Sequence, residues 1–283
     1  MSIVLEVNCI DRAFFGAPSC VAGKTPRKVK LVYGQQDWNG ISVFVDSCMS
    51  EARQWQSRYK AGWLLEGGGL HPGDYENSRT WLADLDFVMT YDAELLKEPG
   101  YVKYVKGGIW IPREDWGLHP KSKFCSFLYS RKDDMPGHHL RHQVAKMLQE
   151  RGGLGVDVFC DIGYSVEAKK RALKDYAYAI VVEGDRQVNL FSEHLLDPIM
   201  LGCVPLYWGC PNVAEYLDGS GLVCWRTLVD LADGLASLSM SLYPHFLPYI
   251  KANQAQAERY EVTEDEIADE ILFPFLREKG ETI

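Results

Sequence analysis

The sequence predicts an α/β protein of two domains, each a parallel sheet with helices between its strands, the second of them Rossmann-like. Three observations carry this prediction. The chain has 283 residues, enough for two modest domains. Its 47% hydrophobic content is that of a folded globular protein. Short apolar runs alternate with helical segments along most of its length, and strands joined by single helices specify parallel pairing with right-handed crossovers.

In the first half, KVKLVYG, ISVFV, AGWLLEGGG, LDFVMTYD and YVKGGIWIP read as strands or strand ends, bounded by turn residues. Helix candidates lie between them. SCMSEARQWQSRYK (47–60) starts with a possible serine cap, and ENSRTWLADL (76–85) spaces its apolar residues at helical intervals. HPKSKFCSFLYS (119–130) combines a proline and two lysines with an apolar strand, which places a domain boundary near Lys121.

Beyond that boundary the alternation is regular. SFLYS, VDVFCDIG, AYAIVVEG, VPLYWG and GLVCW read as strands. HHLRHQVAKMLQERGG, SVEAKKRALKDY, FSEHLLDPIMLG and the short NVAEYL read as the intervening helices. From Thr227 the chain is helical and polar, with a proline-interrupted SLYPHFLPY and a long acidic helix ending in ILFPFLREK. The expected domains are therefore 1–120, 121–262 and a helical tail over 263–283.

Composition narrows the function. Thirty basic against thirty-nine acidic residues give a net charge of −9, which argues against general affinity for nucleic acid or anionic membrane. The eight cysteines are scattered singly, without a CxxC pair, and read as reduced thiols. No apolar run approaches the ~18 residues of a membrane span, and the N-terminus lacks a signal-peptide pattern. These features lead to an expectation of a cytoplasmic protein.

The densest chemistry lies in LKDYAYAIVVEGDRQVNLFSEHLLDPIMLGCVPLYWGCPNVAEYL (173–217). A tyrosine-rich strand runs into Glu183, and a polar loop leads to Ser192, Glu193 and His194 at the start of a helix. Loop residues there reach the carboxyl edge of the sheet, Ser192 is a candidate helix cap, and a helix N-terminus attracts phosphate.

This segment resembles the α-1,3-fucosyltransferases (glycosyltransferase family 10), whose pattern is like YKFxLAFENS, six residues, then TEKLWxALLAGxVPVYWG. Tyr176, Glu183 and Glu193 match the tyrosine and the glutamates of ENS and TEK, with the same spacing of ten between the glutamates. LGCVPLYWG (201–209) and PNVAEYL (211–217) continue without a gap. SFLYSRKDDMPGHHLRHQVAKMLQERGGLGVDVFCDIG (126–163) is similar to the family's serine-rich strand, arginine-led helix and VDxYG strand, with Arg141 at the helix arginine. The resemblance spans roughly a hundred residues, strongest over 124–225.

The resemblance implies two Rossmann-like domains facing across a cleft, the GT-B arrangement, with the acceptor on residues 1–120 and the donor on 121–262, and an inverting transfer of fucose from GDP-fucose to a hydroxyl of a glycan acceptor. It assigns Arg141 to the donor diphosphate, a role suited to a planar fork of donors, and Glu183, Ser192, Glu193 and His194 to the donor side. It implies no metal and no cofactor besides the nucleotide-sugar substrate. Gly184, Leu190 and His194 stand where the family has asparagine, tyrosine and lysine. A neutral imidazole donates one hydrogen bond but carries charge only when protonated; nearby Arg186 is the compensating candidate. Two alternatives stay open: another nucleotide-sugar, and a noncatalytic nucleotide- or carbohydrate-binding relative. The unanchored form suits a bacterial or viral enzyme.

Glu66, in KAGWLLEGGGLHPGDYEN, is the candidate general base, since it closes an apolar strand and precedes three glycines. The family similarly has a glutamate after an N-domain strand, followed by a segment like FDYxxxYD, here LDFVMTYD. Each candidate has an ordinary reading too: Glu66 a solvated strand end, Arg141 a helix surface residue paired with Glu150 or Asp157, Glu183 a loop anchor. His71, His138, His139 and His142 invite reading as a metal cluster, but the last three sit at a helix start with no carboxylate partners at metal-binding spacing. Asp84-Leu85-Asp86 has DxD spacing but falls at a helix-to-strand junction.

Overall fold

The computed structural model describes residues 4–12, 16–161 and 165–282, and its chain divides into two compact units. The first comprises residues 1–106 and 262–283, the second 107–261.

The first unit is built on β1 (Leu5–Ile10), β2 (Val29–Tyr33), β3 (Asp37–Val45), β4 (Gln56–Trp63), β5 (Phe87–Thr90) and β6 (Tyr101–Lys103), with α1 (Pro72–Trp81) before β5. All six strands are parallel, in the order β2-β1-β3-β4-β5-β6. β1 had no counterpart among the expected strands. The expected helix over 47–60 is a 3-10 helix over Asp46–Gln54, capped by no side chain. Residues from Gln56 onward are claimed instead by β4, which pairs with β3 from Asp37↔Gln56 to Val45↔Trp63. Long-range pairing overrides the local pattern there.

The second unit carries β7 (Lys123–Tyr129), α2 (Pro136–Glu150), β8 (Val156–Cys160), α3 (Val166–Leu173), β9 (Tyr176–Val182), α4 (Glu193–Met200), β10 (Val204–Trp208), β11 (Val223–Cys224), α5 (Leu228–Ser237) and α6 (Tyr243–Ala257). Its five strands are also parallel, in the order β11-β10-β9-β7-β8. Every expected strand of this half is present; the last two residues of VDVFCDIG, 162–163, lie outside the described residues. β9 is buried along its whole length, as a central parallel strand requires. Phe127, Val144, Leu148, Ile180 and Leu206 form the middle of the core.

The division falls elsewhere than the sequence boundary near 121. YVKGGIWIP is no strand, because Gly107 and Gly108 take left-handed φ values of 57° and 89°. Its amides from Gly107 on are satisfied within the second unit: Gly107 N–H donates to Phe191 O at 3.1 Å, Gly108 N–H to Tyr260 O at 2.8 Å and Ile109 N–H to Glu261 O at 3.0 Å, and further along Gly117 N–H donates to Met200 O at 2.8 Å. Residues 263–283, read from sequence as a separate tail, belong with Val262 to the first unit and contain α7 (Thr263–Ile267), a π-helical turn and α8 (Phe273–Glu278). Glu264 accepts from Ser19 Oγ at 2.7 Å and Cys20 N at 2.6 Å, Asp265 from Arg27 N and Lys28 N at 2.8 Å, and Phe275 packs on Phe87 with ring centroids 4.9 Å apart. Buried carboxylates that cap main-chain amides thus hold the returning helices.

Candidate functional site

Both sheets share one topological feature. The chain moves from the first strand of each unit to one side and then returns across it, so that its first and third strands are neighbours with opposite onward directions. The crevice beyond the carboxyl ends of such a strand pair is where open α/β sheets bind ligands. In the second unit that pair is β7 and β9, and the residue after β9 is Glu183.

Glu183 is 3% exposed. Its N–H donates to Trp208 O at 2.9 Å, and its carboxylate accepts from Ser192 N at 3.1 Å and Ser192 Oγ at 2.6 Å. Ser192 in turn caps α4, its Oγ accepting from His194 N at 3.3 Å. Glu183 therefore anchors the loop that delivers Ser192, Glu193 and His194 to one place. Burial pushes its carboxyl up to about 7, against the lowering pull of the Ser192 hydrogen bonds and of Arg141. Two glycines permit this packing: a Cβ on Gly137 would lie 1.8 Å from Glu183 O, and one on Gly209 would lie 2.5 Å from Glu183 Cγ.

Arg141 is buried on α2 rather than paired with Glu150 or Asp157 on the surface. Its Nε and Nη2 donate to Val182 O at 3.0 and 2.6 Å, so the guanidinium clamps the carboxyl end of β9. It acts electrostatically on both Glu183 and His194. Arg186 is exposed; its main-chain N–H bonds to Asp185 Oδ1 at 2.7 Å.

Sequence reasoning missed Lys169. It lies on α3, is 5% exposed, and places Nζ 2.5 Å from Asp197 Oδ2, 3.7 Å from Glu193 Oε1 and 4.0 Å from the centre of the Trp110 ring. The other Asp197 oxygen accepts from Trp110 N at 2.8 Å and Ile111 N at 3.2 Å. Lys169, Val182, Glu193, His194 and Asp197 line one pocket. His194 Nε2 lies 3.7 Å from Glu193 Oε1, and the imidazole is 36% exposed. Desolvation pushes it down to about 3, with Glu193 opposing and Arg141 and Lys169 reinforcing the shift. The imidazole is therefore neutral near pH 7 and offers a hydrogen bond without a charge. In the sequence, Lys169 sits in an ordinary helical stretch, EAKKRALK; only its burial sets it apart.

In the first unit Glu66 follows β4 by three residues, with its side chain 37% exposed and its carboxylate 3.4 Å from Lys106 Nζ. Its carbonyl accepts from Tyr75 OH at 2.8 Å. Asp46, which directly follows β3, accepts from Leu65 N at 2.8 Å and Glu66 N at 3.3 Å.

The remaining motifs are structural. Asp86 Oδ2 accepts from Lys60 N at 2.8 Å, binding one DxD carboxylate to β4. His138 Nδ1 lies 2.5 Å from Asp134 Oδ1, while His139 and His142 contact Asp133 O and Lys132 O at 3.0 Å, so the three histidines tie the loop before α2 to that helix. No group of three His, Cys, Asp or Glu side chains suited to a metal occurs among the described residues. Among the same residues, no helix is long and apolar enough to cross a membrane.

No protein-family model matches the chain, and no curated protein matches it. Solved structures do. An α1,3-fucosyltransferase superposes with TM-score 0.58 at 13% identity, covering 100% of this chain and 92% of that one. An α1,3-fucosyltransferase with GDP-fucose gives 0.55 at 13% identity over 87% of this chain and 82% of that one. An α-glucosyltransferase in complex with UDP and a 13-mer DNA gives 0.52 at 8% identity over 96% of this chain and 99% of that one. The fold is fucosyltransferase-like, and these neighbours are GT-B glycosyltransferases.

Proposed function

We propose that the protein is an inverting glycosyltransferase, with GDP-fucose as the leading donor and a glycan hydroxyl as acceptor. The observation that carries the proposal is the Glu183–Ser192 arrangement at the β7/β9 switch point. A buried carboxylate there presets a capped helix start beside a buried arginine, where open α/β sheets bind nucleotides.

In this reading the acceptor hydroxyl gives its proton to Glu66, and its oxygen attacks the anomeric carbon from the face opposite the diphosphate. The bond from that carbon to the diphosphate oxygen breaks, and the nucleoside diphosphate departs with the electron pair. Arg141, Arg186 and the helix start at Ser192 stabilise the departing charge, and neutral His194 contributes a hydrogen bond. Glu183 acts by holding the loop, and Glu193 is the donor contact.

The neutral His194 also supports a second reading, in which the same scaffold uses a different nucleotide-sugar. Calorimetric titration without metal against GDP, UDP, ADP and CMP, then GDP-fucose, tests both. GDP is expected to bind best and Arg141→Ala to lose that binding. Preference for another nucleotide would change the sugar, and no binding by any of them would overturn the transferase in favour of a noncatalytic relative.

A further inference from the structure

The first sheet has its own switch point, between β1 and β3, and the residue after β3 is Asp46. It occupies the same topological position as Glu183 in the second sheet. Its backbone is left-handed, with φ 47°, a conformation that asparagine and aspartate tolerate better than other side chains. That turn aims Oδ1 at two amides of the segment after β4, those of Leu65 and of Glu66 itself. Oδ2 makes no hydrogen bond among the described residues.

We infer that Asp46 is a positioning residue for Glu66: one oxygen fixes the Glu66 backbone, and the negative charge offsets the pull of Lys106, keeping Glu66 a competent proton acceptor. The inference rests on the reading of Glu66 as base. The charged neighbours agree with it. Glu66 and Asp74 face Asp46 with like charge, Lys106 pairs with Glu66, and His71 acts on Asp74. Cys48, Tyr75 and Tyr104 also feel the Asp46 charge.

Burial pushes the Asp46 carboxyl up to about 7, with Glu66 and Asp74 adding to the rise and the two amides opposing it. Its charge is therefore gained and lost across neutral pH. As pH falls through about 7, Asp46 takes a proton, its support of Glu66 disappears, and the rate falls.

Asp46→Asn is the informative variant, because asparagine accepts the left-handed φ and keeps a carbonyl oxygen for both amides while removing the charge. The assay is release of GDP from GDP-fucose with water as acceptor, across pH 5 to 9, alongside 13C NMR titration of the Asp46 carboxyl in the intact chain. Asp46→Asn is expected to lower kcat roughly tenfold with KM unchanged and to abolish the limb near pH 7, whereas Glu66→Gln lowers kcat more than about a hundredfold. The Asp46 midpoint is expected to fall in Glu66→Gln.

A wild-type rate and pH profile in Asp46→Asn, or an Asp46 midpoint unmoved in Glu66→Gln, would overturn the inference. A dead Asp46→Asn beside an active Glu66→Gln would also overturn it, making Asp46 the proton acceptor itself. If wild-type protein neither binds GDP nor turns over GDP-fucose, the functional reading fails, and the NMR arm still decides whether the two carboxyls are coupled.

Discussion

The guanidinium of Arg141 grips the carbonyl of Val182 with two of its nitrogens, at 3.0 and 2.6 Å. An arginine on α2 thereby fixes the last residue of β9, immediately before Glu183. The same residue is both a scaffold element and the candidate diphosphate contact, so its loss has two separable effects.

Arg141→Ala is expected to destabilise the chain by about 2 kcal/mol, the scale of a hydrogen bond to a charged group whose buried acceptor is left behind. Arg141→Lys is expected to recover part of the stability without restoring two-point recognition of a diphosphate. Urea unfolding and nucleotide titration on both variants separate these effects. Equal recovery of stability and binding by lysine would remove the fork from the argument.

Asp46 and Glu183 both have carboxyls raised to about 7 by burial. A carboxyl raised on folding binds more protons in the folded than in the unfolded state between its two pKa values. Its contribution is full below the unfolded value of ~4 and is lost as pH rises through the folded one. His194, pushed down to about 3, gives the opposite slope between its folded value and the unfolded ~6.5. The double variant Asp46→Asn/Glu183→Gln is therefore expected to gain stability relative to wild type between pH 5 and pH 8, whatever the net slope. Chemical denaturation at several pH values measures this, and an invariant difference would contradict it.

Breaking the buried Lys169–Asp197 pair from either side leaves an uncompensated charge, a loss of about 3–5 kcal/mol. Lys169→Met and Asp197→Leu are each expected to fall in that range, with the double variant closer to wild type than either single one. Thermal unfolding of the three proteins completes the cycle. Asp197→Leu also releases the Trp110 and Ile111 amides, so the double variant is not expected to recover fully.

His194 carries no charge near neutrality, so the dependence of nucleotide affinity on pH is expected to lack a limb from this imidazole between pH 6 and 7. His194→Lys places a full charge at the start of α4 and is expected to tighten diphosphate binding about tenfold. Parallel titrations with GDP and GMP show whether the gain belongs to the second phosphate. Equal tightening for both nucleotides would assign it to general charge.

The second unit was the legible part. β9 reads as buried because YAYAIVV is apolar at every position but its tyrosine hydroxyls, and Ser192 reads as a cap because a serine precedes an apolar helix. The spacing that brings Glu183, Ser192 and Glu193 to one loop is local, so the linear order of residues carries it. In the first unit the local signal was weaker: residues 56–60 look helical until β3 pairs with them.

The sequence by itself determined the alternating α/β plan, the parallel sheets and the chain segment holding the candidate donor site, because these follow from periodicity and near-neighbour spacing. Tertiary structure alone decided the rest. Residues 107–117 join the second unit because their amides find Phe191, Asp197, Met200 and Tyr260 there, and residues 262–283 join the first because Glu264 and Asp265 cap its distant loops. Lys169 and Asp46 join the candidate sites only on folding, since burial and the partners of a charge depend on segments far away in sequence, and no local pattern records them.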